Sequence, residues 1–292
     1  MKVAIYGRAL NSNSSSEAFQ TLYSKLEKVG VEIFVYEPFL KQIGSKRKVK
    51  RKNLFTKHNE INGSVKFLFS IGGDGTLLET AALVRDSEIP VMGINTGRLG
   101  FLSSISADEI ETAVDAVLKG KYSLDKKTLL QLDVKGKLFG DFKFALNEIA
   151  VQKTDSSSMI TIHASVNGNF LNSYWADGLI VATPTGSTAY SLSCGGPIVM
   201  PDSDNFVITP VAPHNLNVRP VIISSNDIIE LEVEGRNPNF LVSLDSRSEN
   251  IQSFGKLKIK KANFVISLVK LENHDFLSTL RNKLMWGADK RN

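Results

Sequence analysis

Residues 72 to 76 read Gly-Gly-Asp-Gly-Thr, three glycines around one carboxylate where an apolar run ends and a helical pattern begins. Glycine lets the main chain approach a ligand closely, and N–H groups at a helix N-terminus favour anions, so phosphate suits this turn. An ionised aspartate there can accept the proton of a hydroxyl as that hydroxyl attacks phosphorus. Positioning of this kind is most of what phosphoryl transfer asks of a protein. The plainer alternative is a tight turn with Asp74 as N-cap, but such a turn does not require glycine at this density. The stretch is neither a Walker A loop, whose lysine is missing, nor the six-residue dinucleotide fingerprint.

Three further segments place polar or small residues at the ends of apolar runs: GINTGRLGFL (93 to 102), FALNEIAV (144 to 151) and DGLIVATPTGSTAYSLSCGGPI (177 to 198). In the second, Glu148 accepts hydrogen bonds from sugar hydroxyls and Asn147 both donates and accepts, although a turn at a strand edge uses the same pair. In the third, Thr185 to Ser191 reads equally as a capped helix start or as a ligand-contacting turn, and Asp177 as an Asp-Gly turn. Cys194 has no flanking His or Lys to activate it and reads as a small packed residue. Trp175 suits a core position at a strand end or a cover over a base. His214, in the Pro-bounded PVAPHNL, reads as a turn residue.

Taken in order, GGDGT, GINTGRLGFL, the Asn147-Glu148 pair and the 177 to 198 segment resemble the NAD kinases over most of the chain. GGDGT alone is shared with diacylglycerol- and sphingosine-type lipid kinases. The resemblance implies transfer of the γ-phosphoryl of ATP to the 2'-hydroxyl of the adenosine ribose of NAD. Asp74 is then the general base, and a divalent cation, expected to be magnesium, accompanies the nucleotide phosphates. Gly72, Gly73, Gly75 and Thr76 are expected along the phosphate path, with Asp74 and Gly75 against the substrate. Asn147 and Glu148 match the pair that contacts ribose and adenine, and Asp177 the residue that reads an amide end of the ligand. Thr188, Ala189, Tyr190, Ser191, Leu192 and Ser193 match dinucleotide contacts, and Ala212 matches the nicotinamide side. The same resemblance implies a homodimer or homotetramer whose site borrows residues from a neighbouring subunit.

Two departures stand out. Asp245-Ser246-Arg247 carries arginine where the family often has glutamine, so at this substrate-binding position the guanidinium does the work of the glutamine, or nothing does, or Arg247 instead neutralises a phosphate. Glu79 lies five residues after Asp74, where bacterial relatives place a basic residue, which removes the family's reason for a ligand contact there. Two rival readings differ in class. A lipid kinase predicts a membrane-facing surface and gives no reason for the Asn147-Glu148 pair; a non-catalytic dinucleotide sensor has no use for a proton acceptor at Asp74.

Composition bounds these readings. At 292 residues the chain is long enough for two cores, and no apolar run approaches the roughly 20 residues of a membrane-spanning helix. The start, MKVAIYGRAL, reads as a first strand and not as a secretion signal, so the expected compartment is the cytoplasm. The single cysteine excludes an intrachain disulfide, and the four histidines, His58, His163, His214 and His274, show no metal-ligand spacing. Of the net charge of +5, the run KRKVKRK at 46 to 52 carries six positive charges, leaving the remainder at −1. That concentration reads as a solvated loop, so neither a nucleic acid nor a membrane is expected as partner.

The elements that must position these residues follow from periodicity. KVAIYGR (2 to 8), a helix from Glu17 through Phe19, Leu22, Leu26 and Val29, and VEIFVY (31 to 36) make a β-α-β opening, with NSNSSS (11 to 16) supplying N-caps. Residues 37 to 62 lack periodicity and read as a mobile insertion. VKFLFSI (65 to 71), TLLETAALVRD (76 to 86), IPVMGIN (89 to 95) and ADEIETAVDAVLKG (107 to 120) continue a parallel α/β pattern. After Tyr122, ten short alternating runs, KLKIKK and FVISLV the last of them, indicate packed sheets, with a tight hairpin at Asn167-Gly168. The expected organisation is an N-terminal Rossmann-like α/β domain (1–121), a β-sandwich-like NAD-binding domain (122–271) and a C-terminal helix (272–292) returning to the first domain. The active site is expected in the cleft between the two domains.

Overall fold

The computed structural model describes every residue except 10–11, 46, 62, 64, 98–99, 135–137, 155–158, 237–238, 253–254, 273–274 and 287–292. Lys46 of the basic run, Arg98 and Leu99 of GINTGRLGFL, and His274 lie outside the described residues. The chain forms two compact units, Met1–Lys126 with Ile266–Asn292, and Lys127–Val265.

In the first unit the chain runs β1 (Lys2–Gly7), α1 (Ser12–Lys28), β2 (Glu32–Tyr36), α2 (Glu37–Gln42), β3 (Leu54–Phe55), β4 (Phe67–Ile71), α3 (Asp74–Val84), β5 (Val91–Asn95), β6 (Ile105–Ser106) and α4 (Ile110–Leu118). The strands pair in parallel in the order β5-β4-β1-β2-β3. Phe19, Leu22 and Leu26 of α1 and Ile110, Ala113 and Val114 of α4 pack on the face presented by Val3, Ile5, Phe69 and Ile71. Order therefore reverses at β1 and β4, whose chains continue into α1 and α3. In open α/β sheets the crevice beyond the strand ends at such a reversal is where ligands bind.

The helix α1 begins at Ser12, five residues before the apolar stripe suggested, because Ser15 is fully buried in its first turns with its Oγ 3.4 Å from Thr96 Oγ1. The 37 to 62 stretch is not a loose insertion. Phe39, Phe55 and Ile61 are buried at irregular spacing, and the Arg47 side chain straps the basic run to α1, with Nε donating to Gln20 at 2.7 Å and the guanidinium over the Tyr23 ring. Anchors without a period are invisible to a periodicity search.

The second unit and the closing segment contain β7 (Ser123–Asp133), β8 (Phe144–Ala145), β9 (Glu148–Lys153), β10 (Ile160–Val166), β11 (Asn169–Ala176), β12 (Gly178–Ala182), α5 (Tyr190–Ser193), β13 (Asn205–Val211), β14 (Val221–Ser224), β15 (Ile229–Glu234), β16 (Asn239–Leu244), β17 (Arg247–Gln252), β18 (Leu257–Lys270) and α6 (Phe276–Leu284). In the second unit, β11-β10-β15-β18 form one antiparallel sheet and β14-β13-β12-β9-β16-β17 another. Their inner faces share a core that includes Ile162, Tyr174, Val151, Val181, Phe206 and Val242. KLKIKK and FVISLV belong to one strand of 14 residues, β18, and not to two. In the first unit, Leu268 of β18 pairs with Val91, and Phe276 of α6 meets the Phe101 ring. Among the described residues no helix is long and apolar enough to cross a membrane.

The hairpin at Asn167-Gly168 has both residues at positive φ, 51° and 78°, and Asn167 further bonds Asp227 and the Ile228 N–H. A side chain at position 168 meets no neighbour, so its cost is conformational alone. Gly168→Ala is expected to lower unfolding stability by about 1–2 kcal/mol in a urea titration.

Candidate active site

In the first unit, β4 delivers the chain into Gly72 at φ +150°, where a Cβ would fall 2.2 Å from Thr76 Oγ1. The turn is bare because Thr76 fills the space a side chain would need. Asp74 then opens α3, and its carboxylate reaches back to a loop 27 to 29 residues further along. Oδ2 accepts from the Phe101 N–H at 2.8 Å, and Oδ1 from those of Leu102 and Ser103 at 3.1 and 2.9 Å. A Cβ on Gly100 would lie 1.8 Å from Oδ1, so the carboxylate occupies the place of that missing atom. A carboxylate has about four acceptor sites, and three are used. The remaining lone pair is on Oδ2. Gly73 and Gly75 leave the mouth of the turn open.

Glu79, one turn further along α3, accepts from Tyr6 Oη at 2.7 Å and pairs with Arg8 Nε at 2.6 Å. Burial and this carboxylate push the Tyr6 hydroxyl well above the usual range.

The second unit repeats the device. Asp245, at the turn joining β16 to β17, accepts from the N–H groups of Leu146, Asn147 and Glu148 at 2.8, 2.7 and 3.2 Å. Asn147 and Glu148 are thereby held where β8 passes into β9. Thr183 clamps the same corner, its N–H donating to the Asn147 carbonyl and its Oγ1 to that of Leu146. Gly186 must be bare, since a Cβ there would lie 2.1 Å from the Asn147 carbonyl oxygen. Burial and the neighbouring Asp245 push Glu148 up to about 8, partly offset by a bond from the Tyr190 N–H. Burial also raises Asp245, against its three N–H donors.

Five buried side-chain polar atoms lack a partner among the described residues: Asn53 Oδ1, Thr76 Oγ1, Ser103 Oγ, Asn147 Oδ1 and Glu148 Oε2. Buried polar atoms are nearly always paired, so unpaired ones mark places completed by something else. Four of the five belong to these two corners. Thr76, Asn147 and Glu148 are among the residues singled out by sequence; Ser103 was missed, falling one residue beyond the GINTGRLGFL motif.

The other expected residues divide. Tyr190 Oη accepts from Gln152 at 2.8 Å, and Thr188 Oγ1 bonds the Thr185 carbonyl at 3.3 Å. Ser191 is buried with its hydroxyl 2.8 Å from Thr209 Oγ1, whereas Ser193 is exposed and Leu192 and Ala189 are half-buried. Asp177 is paired with Lys153 at 2.7 Å, a lysine that the sequence reading did not single out. Ala212 is exposed at φ 43°. Arg247 holds main chain: Nη1 donates to the Phe142 carbonyl at 2.6 Å and Nη2 to that of Phe144, with the guanidinium over the Phe142 ring. It braces the strand leading into Leu146. Trp175 is not a core residue. Tyr174 and Ala176 take the inner face of β11, leaving the indole 46% exposed against His214, with ring centroids 4.5 Å apart. Cys194 packs beside Ile180 and Val207, and burial raises its thiol, unlike an activated nucleophile.

The ATP-NAD kinase N-terminal domain model matches residues 8–122, and the ATP-NAD kinase C-terminal domain model matches residues 146–271. The NAD kinase of Cytophaga hutchinsonii is 49% identical over 293 residues, covering 100% of both chains. Yeast NADH kinase complexed with NADH has a similar fold, with a TM-score of 0.88 at 24% identity over 99% of this chain and 88% of that one. An NAD kinase from Archaeoglobus fulgidus in complex with ATP gives 0.75 at 25% identity over 98% and 99%.

Glu148 sets a pH signature. Below the ordinary glutamate value of 4.5 both folded and unfolded chains are protonated there; above it the unfolded chain ionises first, and stability is lost until pH passes about 8. In Glu148→Gln that loss disappears. Its thermal midpoint, relative to wild type, is expected to rise between pH 4.5 and 8 and to level off beyond. An offset that stays constant across this window would count against the raised acid.

Proposed function

The chain belongs to the ATP-NAD kinase family, and on that premise we propose a residue-level account of how it phosphorylates NAD with ATP to give NADP and ADP. The observation that carries the account is the grouping of unpaired buried polar atoms, Thr76 and Ser103 beside Asp74, and Asn147 and Glu148 beside Asp245. Match over both domains leaves the lipid-kinase and sensor readings unsupported.

Asp74 takes the proton of the adenosine ribose 2'-hydroxyl through the remaining lone pair of Oδ2. Its three N–H bonds support this role by fixing the carboxylate before substrate arrives, so little reorganisation is left for the reacting complex. Gly72, Gly73, Gly75 and Thr76 line the phosphate path. Asn147 and Glu148 contact ribose and adenine. With its acid raised to about 8, Glu148 carries a proton at neutral pH and can both donate to and accept from the ligand. Asp177, in its pair with Lys153, reads an amide of the ligand, and residues 188 to 193 contact the dinucleotide, Ser191 through its main chain. Ala212 lies on the nicotinamide side, ahead of a loop whose His214, Leu216 and Arg219 line a cavity of about 780 Å³.

Magnesium accompanies ATP. The oxygen atoms near the turn, Thr76 Oγ1 and Asp74 Oδ2, are of the hard type this ion takes, and among the described residues no cluster of His, Cys, Asp and Glu forms a separate cage. When bound, the ion offsets charge on the phosphates. The enzyme acts in the cytoplasm as a homodimer or homotetramer, the assembly its family resemblance implies.

Purified protein mixed with ATP, magnesium and NAD should yield NADP, read with an NADP-specific dehydrogenase. Asp74→Asn is expected to bind NAD yet lose about 10²–10⁴-fold in kcat. Wild-type turnover in that variant would remove the role given to Asp74. Gly100→Ala keeps the carboxylate but displaces it, and a loss of kcat of similar size is expected from an enzyme whose circular dichroism is unchanged.

A further inference from the structure

Arg8 follows the last residue of β1, at the point where strand order reverses. Its N–H donates to the Ile71 carbonyl at 3.3 Å, so its main chain adjoins the residue from which Gly72 departs. Its carbonyl lies 3.5 Å from Ser15 Oγ, which is 3.4 Å from Thr96 Oγ1 just after β5. The ends of three parallel strands are knitted together here.

The side chain is 53% exposed. Nε is taken by Glu79, whose same oxygen also accepts from Tyr6. Nη1 and Nη2 have no partner among the described residues. A guanidinium held by Nε keeps its terminal fork directed and available, and that fork matches two oxygens of a phosphate. Glu79 thus acts as an orienting acid.

We infer that Arg8 is a phosphate-binding residue of this enzyme, oriented by Glu79, that engages either the triphosphate of ATP or the pyrophosphate of NAD beside the Gly72-Gly73 turn. The inference rests on the kinase reading above and adds a residue to it. An ion pair serving stability alone would leave ligand affinities untouched.

The test titrates the full-length protein with ATP–magnesium and, separately, with NAD, by calorimetry. Arg8→Ala is expected to weaken one of the two ligands by about 10-fold or more, the size of a lost charge-assisted hydrogen bond, and to change the other by less than about twofold. Loss confined to ATP identifies the triphosphate; loss confined to NAD identifies the pyrophosphate. Arg8→Lys should recover part of the affinity, since the charge returns without the fork, and Glu79→Gln should weaken the same ligand by a smaller factor. Unchanged affinities, or equal losses for both ligands, would overturn the inference. Wild-type protein that binds both ligands but makes no NADP would instead count against the kinase reading and leave the Arg8 titration interpretable.

Discussion

A carboxylate that accepts three consecutive backbone N–H groups organises each half of this enzyme. Asp74 does so for Phe101 to Ser103, and Asp245 for Leu146 to Glu148. Main-chain N–H groups withdrawn from water must be paired, and irregular segments have no ladder to pair them. One charged side chain resolves three such demands at once, with bonds stronger than neutral ones. The loop at Phe101 to Ser103 and the corner that leads into β9 are therefore fixed before any regular ladder holds them. The unpaired Ser103, Asn147 and Glu148 all lie on segments held in this way.

The two carboxylates nonetheless differ in consequence. Asp74 is half-buried at a helix start beside open glycines, a position suited to receiving a proton. Asp245 is packed away, and burial of Glu148, with Asp245 beside it, pushes that neighbour up to about 8. The same bonding pattern thus surrounds an aspartate beside an open turn in one unit and raises a neighbouring glutamate in the other. Environment, not residue type, assigns these roles.

Much of this was legible in the sequence. The β-α-β opening follows from Phe19, Leu22 and Leu26, and GGDGT and the Asn147-Glu148 pair fall on the corners where unpaired buried polar atoms gather, with Thr183 and Gly186 of the 177 to 198 segment against the second. What escaped has a physical reason. Asp245 reaches its partners across 97 to 99 residues, and no local pattern encodes a contact of that range. Arg247 presents a charge in the sequence, but backbone carbonyls from β8 and the residues before it claim it. Trp175 depended on which side of β11 turns inward, a parity that one strand in isolation does not fix. Phe39, Phe55 and Ile61 bury without a period, so their segment looked unanchored.

The bare positions at Gly100 and Gly186 have a bearing on how such a chain can vary. What faces Gly100 is a carboxylate pinned by three main-chain groups, and what faces Gly186 is a main-chain carbonyl. The carbonyl cannot be exchanged for anything smaller, and room beside Gly100 could come only from giving up the Asp74 carboxylate. At both positions a larger residue costs an interaction that the corner depends on. Tyr6, Arg8 and Glu79 are the opposite case, since only side chains meet there, two of them on one Glu79 oxygen, and a change in one can be met by a change in another.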